Sequence, residues 1–428
     1  MNARDTLIRG RGWGLAVAIL LASTAIGQAQ PAPRTLVAPL PEDFHPQVIP
    51  AVATGTPAAG SIQQVSGCST CGTAGGLPEG PGLWGYNKHH GYADGLDSLG
   101  LGCAGGSCGS GCGSGGCGEN GCIPGRAPCV SCEGQGRFGR LLGAVHNAVC
   151  CPDPCYEPAW RCGPNASLFV DPARPVTQSR IRWDSGKNVT TPDRSEFFWA
   201  ATGNGQKGPS KPERSVDYNE LRYYQEAGTG LFSFFVDTPY RNLEGQVNLG
   251  AGGFGDMVLG TKSMLLDSEL IQTTFQLTTS IPMGAASRGI GVGHVAIEPS
   301  LIWAVKLYPD SFWQGQLAYT IPIAGTKGFA GSVLRWNNSW NQVICNPLPD
   351  VALLGTFEGV GYTFTSGSFT DPATGVALSA NNTTYFSVGP GFRLCVCNKF
   401  DFGFGMQFAV SQDHFADQLY RTEIRYRF

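Results

Sequence analysis

Lys399-Phe-Asp-Phe-Gly-Phe-Gly-Met-Gln-Phe-Ala-Val-Ser411 alternates without a break. Phe400, Phe402, Phe404, Met406, Phe408 and Val410 take one set of positions, and Lys399, Asp401, Gly403, Gly405, Gln407, Ala409 and Ser411 take the other. Successive side chains of an extended strand point to opposite faces, so this stretch is a strand with one apolar face and one polar or small face. The last residues repeat the pattern, with Tyr420, Thr422, Ile424, Tyr426 and Phe428 opposite Arg421, Glu423, Arg425 and Arg427. Four charges on one face of a strand ending in Phe do not fit a dry sandwich core, whereas a polar lumen accommodates them. Upstream, Ile271, Phe275, Leu277 and Ile281 oppose Gln272, Thr274, Gln276, Thr278 and Ser280, while Ile297, Leu301, Trp303 and Val305 oppose Glu298, Ser300 and Lys306. A soluble sheet with one wet face alternates too, so the connections must decide.

Those connections alternate in length. Short turns at 227–229, 266–269, 308–311 and Asn398-Lys399, with an intermediate Asn346-Pro347-Leu348-Pro349, interleave with longer loops at 204–216, 239–253, 283–292, 323–331, 367–382 and 412–417. Short turns on one rim and long loops on the other are the signature of an outer-membrane barrel. The intervening segments predict strands over 195–203, 217–226, 230–238, 254–265, 270–282, 293–307, 312–322, 332–344, 353–366, 383–396, 399–411 and 418–428. The expected fold is therefore all-β, a transmembrane antiparallel β-barrel of about 12 strands preceded by a Cys/Gly-rich irregular segment. An even count puts both ends of the barrel, 195–428, on the short-turn, periplasmic rim. In this register Glu358 falls on the lipid-facing side of its strand, which implies a bulge or a different register there.

The N-terminal part has another composition. Arg4, Arg9 and Arg11 precede an apolar run from Trp13 to Gly27 and then small residues suited to cleavage, so residues 1–29 read as a signal peptide and the protein as exported. Residues 30–67 form a Pro/Ala-rich linker. Thirteen of the 16 Cys lie between Cys68 and Cys162, in a stretch too poor in apolar residues for a core. Residues 68–163 are expected to be ordered by disulfides in an oxidising compartment, with a connectivity that spacing does not reveal. An odd thirteen leaves at least one Cys unpaired, bonded between chains, or bonded to Cys345, Cys395 or Cys397. Cys68-x-x-Cys71 and Cys129-x-x-Cys132 have zinc-knuckle spacing but stand too far apart for a compact ribbon, so no metal or other cofactor is expected. Residues 164–194 read as a connector. Charged residues are only 14% of the chain and the net charge is -3, which offers no basic field for nucleic acid.

Gly250-Ala-Gly-Gly-Phe-Gly-Asp256-Met-Val-Leu-Gly260-Thr-Lys262, followed by Gly289-Ile-Gly-Val-Gly-His-Val-Ala-Ile-Glu298-Pro-Ser-Leu301 and Trp303, resembles a known group. It is similar to the bacterial outer-membrane channel family named for the phenol-degradation meta pathway, over roughly residues 217–428 and without the Cys/Gly segment. That resemblance implies a closed barrel in the outer membrane and passage of small, hydrophobic or aromatic solutes.

The lumen-facing candidates from strand parity are Asp237, Asp256, Lys262, Glu298, Lys306, Arg393, Asp401, Arg421, Glu423, Arg425 and Arg427, with Glu220 and Arg222 beside them. Both signs are mixed, so parity predicts no ion selectivity. Tyr426 and Phe428 are the candidate signal for barrel assembly, which makes outer-membrane lipid and the assembly machinery expected partners. An alternative role is an anchor presenting the disulfide-rich segment in the periplasm, in contact with the cell wall. A hydrolase is the rival from another class. It would need a Ser with a His in reach, but His294 and Ser300 lie roughly 20 Å apart along a strand, so no catalytic residue is expected.

Overall fold

Strands form wherever the side chains alternate. The computed structural model describes residues 158–428 and, before them, Gly143 alone. The expected signal peptide, linker and most of the Cys/Gly segment lie outside the described residues. In chain order the strands are β1 (Gln178–Thr190), β2 (Ser215–Gly228), β3 (Phe232–Gly245), β4 (Ala251–Phe254), β5 (Met257–Asp267), β6 (Ile271–Ile281), β7 (Ala296–Tyr308) and β8 (Ser311–Pro322). They continue with β9 (Val333–Leu348), β10 (Val351–Phe364), β11 (Ser368–Thr370), β12 (Ala377–Ser379), β13 (Thr383–Val396), β14 (Phe400–Ala409) and β15 (Gln418–Arg427).

All but β11 and β12 belong to one antiparallel sheet that closes on itself. β4 and β5 pair with successive parts of β3 and together make one barrel strand broken at Gly255-Asp256. The cylinder therefore has 12 strands, as expected. It closes where β1 pairs with β15, from Gln178↔Arg427 to Lys187↔Gln418, and with β2 on its other edge. Closure leaves no open sheet edge. Short turns connect β2 to β3, β5 to β6, β7 to β8, β9 to β10 and β13 to β14, all on the rim that holds Gln178 and Arg427. The longer loops gather at the opposite rim, where β11 and β12 form a small hairpin.

The two faces of the wall differ as the alternation requires. On β14 and β15, Asp401, Glu423, Arg425 and Arg427 point inward and are buried, while Phe400, Phe408, Ile424 and Tyr426 point outward and are exposed. Among the described residues no helix is long and apolar enough to cross a membrane.

Three expectations are corrected. The first strand is not 195–203 but Gln178–Thr190, within the stretch read as a connector. Residues 195–203 instead cover the long-loop mouth, where Phe198 and Trp199 pack on Val189, Val216, Tyr218, Leu243 and Ile290. Their aromatic and small side chains are buried nearly without alternation, which suits a cap and not a strand with one wet face. Finally, Glu358 faces inward, 1% exposed, and the β10–β13 register runs unbroken past it. Its neighbours Leu354 and Val360 also point inward, because that part of the lumen is dry.

Candidate functional site

The dryness comes from the chain itself. Residues 160–177 enter the lumen at the short-turn rim, rise to the middle of the strands, and return to the same rim to begin β1. Cys162 is disulfide-bonded to Cys395 of β13, with Cα atoms 6.5 Å apart. This is one of the barrel cysteines that spacing had left open as a partner. Ala166 packs on Ala352 and Leu354, Leu168 and Phe169 on Val360, and Val170 and Ala173 on Ile302 and Ala304. A Cβ at Gly405 would lie 2.6 Å from Leu168 Cδ1, and one at Gly403 would lie 2.9 Å from Cδ2. The small inward positions of β14 thus make room for the plug.

An irregular backbone inside a barrel has no ladder to satisfy its polar groups, so side chains must do so. Five consecutive plug carbonyls accept bonds from the wall. Asn165 O takes Arg425 Nη2 at 2.9 Å, Ala166 O and Ser167 O take Arg393 at 2.8 and 3.0 Å, Leu168 O takes Arg421 Nη1 at 2.7 Å, and Phe169 O takes Asn337 Nδ2 at 2.7 Å. In the other direction Glu358 accepts from the Leu168 and Phe169 N–H groups, each at 2.8 Å, from the Ser167 hydroxyl, and from Thr356 Oγ1 at 3.1 Å. A buried carboxylate is costly unless it is fully hydrogen-bonded, and here four donors converge on it.

The wall charges that hold the plug are themselves cross-linked. Asp401 accepts from Arg393, from Arg425 Nε at 2.7 Å and from Arg427 Nη1 at 2.6 Å, while Glu423 accepts from Arg393 at 2.8 Å. Arg421 clamps Asp184 of β1 through bonds of 2.7 and 2.8 Å. The other candidates do different work. Asp237 pairs with Arg222 at 2.8 Å and Glu298 with Arg335 at 2.6 Å. Lys306 Nζ lies 3.4 Å from Glu269. Lys262 lies 3.4 Å from Glu226 beneath the rings of Tyr224 and Phe235, whereas Asp256 accepts the N–H groups of Gly284 and Val292 at 3.0 and 2.7 Å. Asp256 and Lys262 therefore do not meet; Asp256 fastens the β6–β7 loop. Parity missed Arg180, Arg182 and Asp184, because β1 was read as a connector. Its Ser179-Arg-Ile-Arg-Trp-Asp184 alternates as plainly as β15 does.

At the far mouth the β1–β2 loop closes over the lumen. Glu196 Oε2 lies 3.2 Å from His294 Nδ1 and 3.2 Å from the Thr326 N–H, and Glu196 Oε1 accepts from Ala201 N–H at 3.2 Å. Arg194 lies over the Phe369 ring at 3.9 Å. Between plug and cap remains a cavity of about 330 Å³, lined by Asp171 from below, Ser195–Phe198 from above, inward side chains of β1–β3 and β5–β10, and Asp256 with the β6–β7 loop. Among the described residues no cluster of His, Cys, Asp and Glu could hold a metal ion.

No protein-family model and no curated protein matches the chain. Among solved structures it is similar to an outer membrane channel from Pseudomonas putida F1, at 9% identity and TM-score 0.40, covering 59% of this chain and 96% of that one. It is also similar to the NanC porin (9%, 0.36, covering 59% and 100%) and to a Pseudomonas aeruginosa FadL homologue (9%, 0.28, covering 62% and 93%). The closed barrel is defined by its own strand pairings.

Two outcomes follow from these contacts. Glu358→Ala leaves the plug N–H groups without their acceptor, at a cost on the order of 1–3 kcal/mol for each group left unpaired. Hydrogen exchange at Leu168 and Phe169 should accelerate while the barrel amides stay protected; unchanged exchange at both would remove Glu358 as the plug's holder. Burial pushes the Glu196 carboxyl up, but bonds to His294, Thr326 and Ala201 outweigh it and hold the group below its ordinary value. A carboxyl depressed in the folded state contributes stability that is present above its unfolded value near pH 4.5 and is lost as pH falls through the folded one. Proteolysis of the 191–214 loop should therefore rise on acidification below pH 4.5, and Glu196→Gln should flatten that dependence.

Proposed function

We propose that the protein is a bacterial outer-membrane channel or transporter for small solutes, with its short-turn rim in the periplasm and residues 160–177 as a plug in the lumen. The observation that carries this reading is a polar, partly hollow lumen inside a wall whose outer face is apolar. Two aromatic girdles support it. Phe232, Tyr308, Phe400 and Tyr426 stand exposed near the short-turn rim, and Tyr240, Phe254, Tyr319 and Phe408 stand exposed toward the other, with Phe275, Leu301 and Leu317 between them. Aromatic belts at both interfaces flanking an apolar band are what a bilayer selects. Entry of the plug from the short-turn rim supports a periplasmic Cys/Gly segment, which in this reading would contact the cell wall. The resemblance of residues 217–428 to the meta-pathway channel family supports a hydrophobic or aromatic solute.

A second reading has an observation of its own. The plug is bonded covalently and through five carbonyls, which suits a sealed barrel that anchors the Cys/Gly segment. Conductance of the purified full chain in planar bilayers separates the two. A channel should show unitary openings that become more frequent in Glu358→Ala, and a barrel silent in both forms is an anchor. Tyr426 and Phe428, outward on the closing strand, are proposed as the signal read by the assembly machinery. Removing Phe428 should lower the fraction of heat-modifiable, folded barrel in outer-membrane fractions; an unchanged fraction would refute that role.

A further inference from the structure

We propose that the chamber between plug and cap binds a small organic carboxylate through Arg180 and Arg182 of β1. The proposal rests on the channel reading and names its solute class. Five arginines line the chamber, and three are engaged: Arg222 holds Asp237 at 2.8 Å, Arg241 holds Glu220 at 2.6 Å, and Arg335 holds Glu298 at 2.6 Å. Arg335 leaves its Nε unpaired, whereas the other two donate no hydrogen bond to the described residues. Arg180 is 6% exposed, yet its Nε has no hydrogen-bond partner. Its nearest carboxylates, Glu423 and Asp171, stand at 3.6 and 3.8 Å. Both stand beyond hydrogen-bond distance, and each is anchored through its other oxygen, Glu423 Oε1 by Arg393 at 2.8 Å and Asp171 Oδ2 by the amides of Gln276 and Gln316 at 3.2 and 3.1 Å. Arg182 Nε lies 3.2 Å from Asp184 but makes no hydrogen bond, and both oxygens of that carboxylate accept from Arg421.

Each guanidinium carries five N–H donors in a planar fork that matches a carboxylate. Positions 180 and 182 share one face of β1, so two under-satisfied forks stand side by side on the chamber wall. The chamber also has five carboxylates, Asp171, Glu196, Asp237, Asp256 and Glu298, and each already accepts hydrogen bonds from the protein. Every one of these carboxylates has a protein donor, whereas two of the five guanidiniums donate to none, although the formal charges balance. Water can occupy the forks, but an oxyanion supplies charge-assisted acceptors in the same plane. Part of the remaining wall is aromatic: Arg180 itself lies 4.0 Å over the Tyr224 ring, and Phe198, Phe235 and Tyr362 line the space among aliphatic and uncharged polar side chains. A volume of about 330 Å³ is at the small end for ligand sites, the size of a single-ring or short-chain acid.

The test is equilibrium binding of benzoate, benzamide and inorganic phosphate to the full chain in detergent, by calorimetry. Benzoate should bind at least about tenfold more tightly than benzamide, which has the same ring without the charge, and more tightly than phosphate. The double variant Arg180→Gln/Arg182→Gln should lose about that tenfold for benzoate and leave benzamide unchanged. Gel heat-modifiability verifies that the variant is folded, and the comparison of benzoate with benzamide in the unmodified protein needs no variant. Benzamide binding as tightly as benzoate, or a folded double variant with undiminished benzoate affinity, overturns the site. Phosphate binding as tightly as benzoate overturns the organic-acid assignment. Flux of benzoate into liposomes is measured separately: binding without flux leaves this site standing and defeats the channel reading, while flux without binding does the reverse.

Discussion

The ladder between β1 and β15 is the constraint on which the remaining structure depends. By closing the cylinder it abolishes free edges, and it commits every second residue of 12 strands to the barrel interior. Charges placed there need partners within a few ångströms, because an unpaired buried charge is far more costly than an unpaired surface one. β1 brings Arg180, Arg182 and Asp184, and β15 brings Arg421, Glu423, Arg425 and Arg427, to the same seam. The closing strands are thus also the most highly charged part of the wall, and the plug lies against them. Its carbonyls accept from Arg393, Arg421 and Arg425, while Glu358 across the lumen accepts its N–H groups.

The plug divides the lumen into two environments. Toward the short-turn rim, inward residues of β7 and β10 such as Ile302, Ala304 and Leu354 are apolar because they meet Ala166, Val170 and Ala173, whereas the seam of β13–β15 is charged. Toward the loops, inward residues line the chamber and are charged, polar or aromatic. One strand can belong to both: β10 presents Leu354 and Glu358 to the plug, and Tyr362 to the chamber.

This division sets how much the sequence reveals. Where the inner face is polar or small, whether it meets the chamber or the plug's backbone, alternation is clean, and β6, β14 and β15 are legible to within about two residues. Loop lengths then carry the strand count, since the short and long connections fall on opposite rims. Where the plug makes the inner face dry, apolar residues occupy both faces and parity inverts, which is why Glu358 reads as lipid-facing. β1 alternates as well as β15 does, but Phe197, Phe198 and Trp199 attract the strand assignment away from it; aromatic density signals burial, and alternation signals a wall. Partner choice is not legible at all. Arg222 and Arg182 look alike in sequence, and only pairing across strands distinguishes the arginine that is satisfied from the one that is not.

The way the plug is held also dictates how it could leave. It is tied at both ends to one rim, by the Cys162–Cys395 bond and by the start of β1, so a displaced plug remains a short loop at the barrel mouth. Loop closure of this kind costs little more entropy out of the lumen than in it, and return is intramolecular. The opposing term is hydrogen bonding. The five carbonyls of residues 165–169, the Leu168 and Phe169 N–H groups and the Ser167 hydroxyl share a few side chains, with Arg393 alone bridging two carbonyls, Asp401 and Glu423. Removing one plug contact strips partners from the next, so the contacts are lost together. Side-chain networks of this kind are cooperative, so the network favours a plug that stays or leaves as one unit over one that peels away contact by contact.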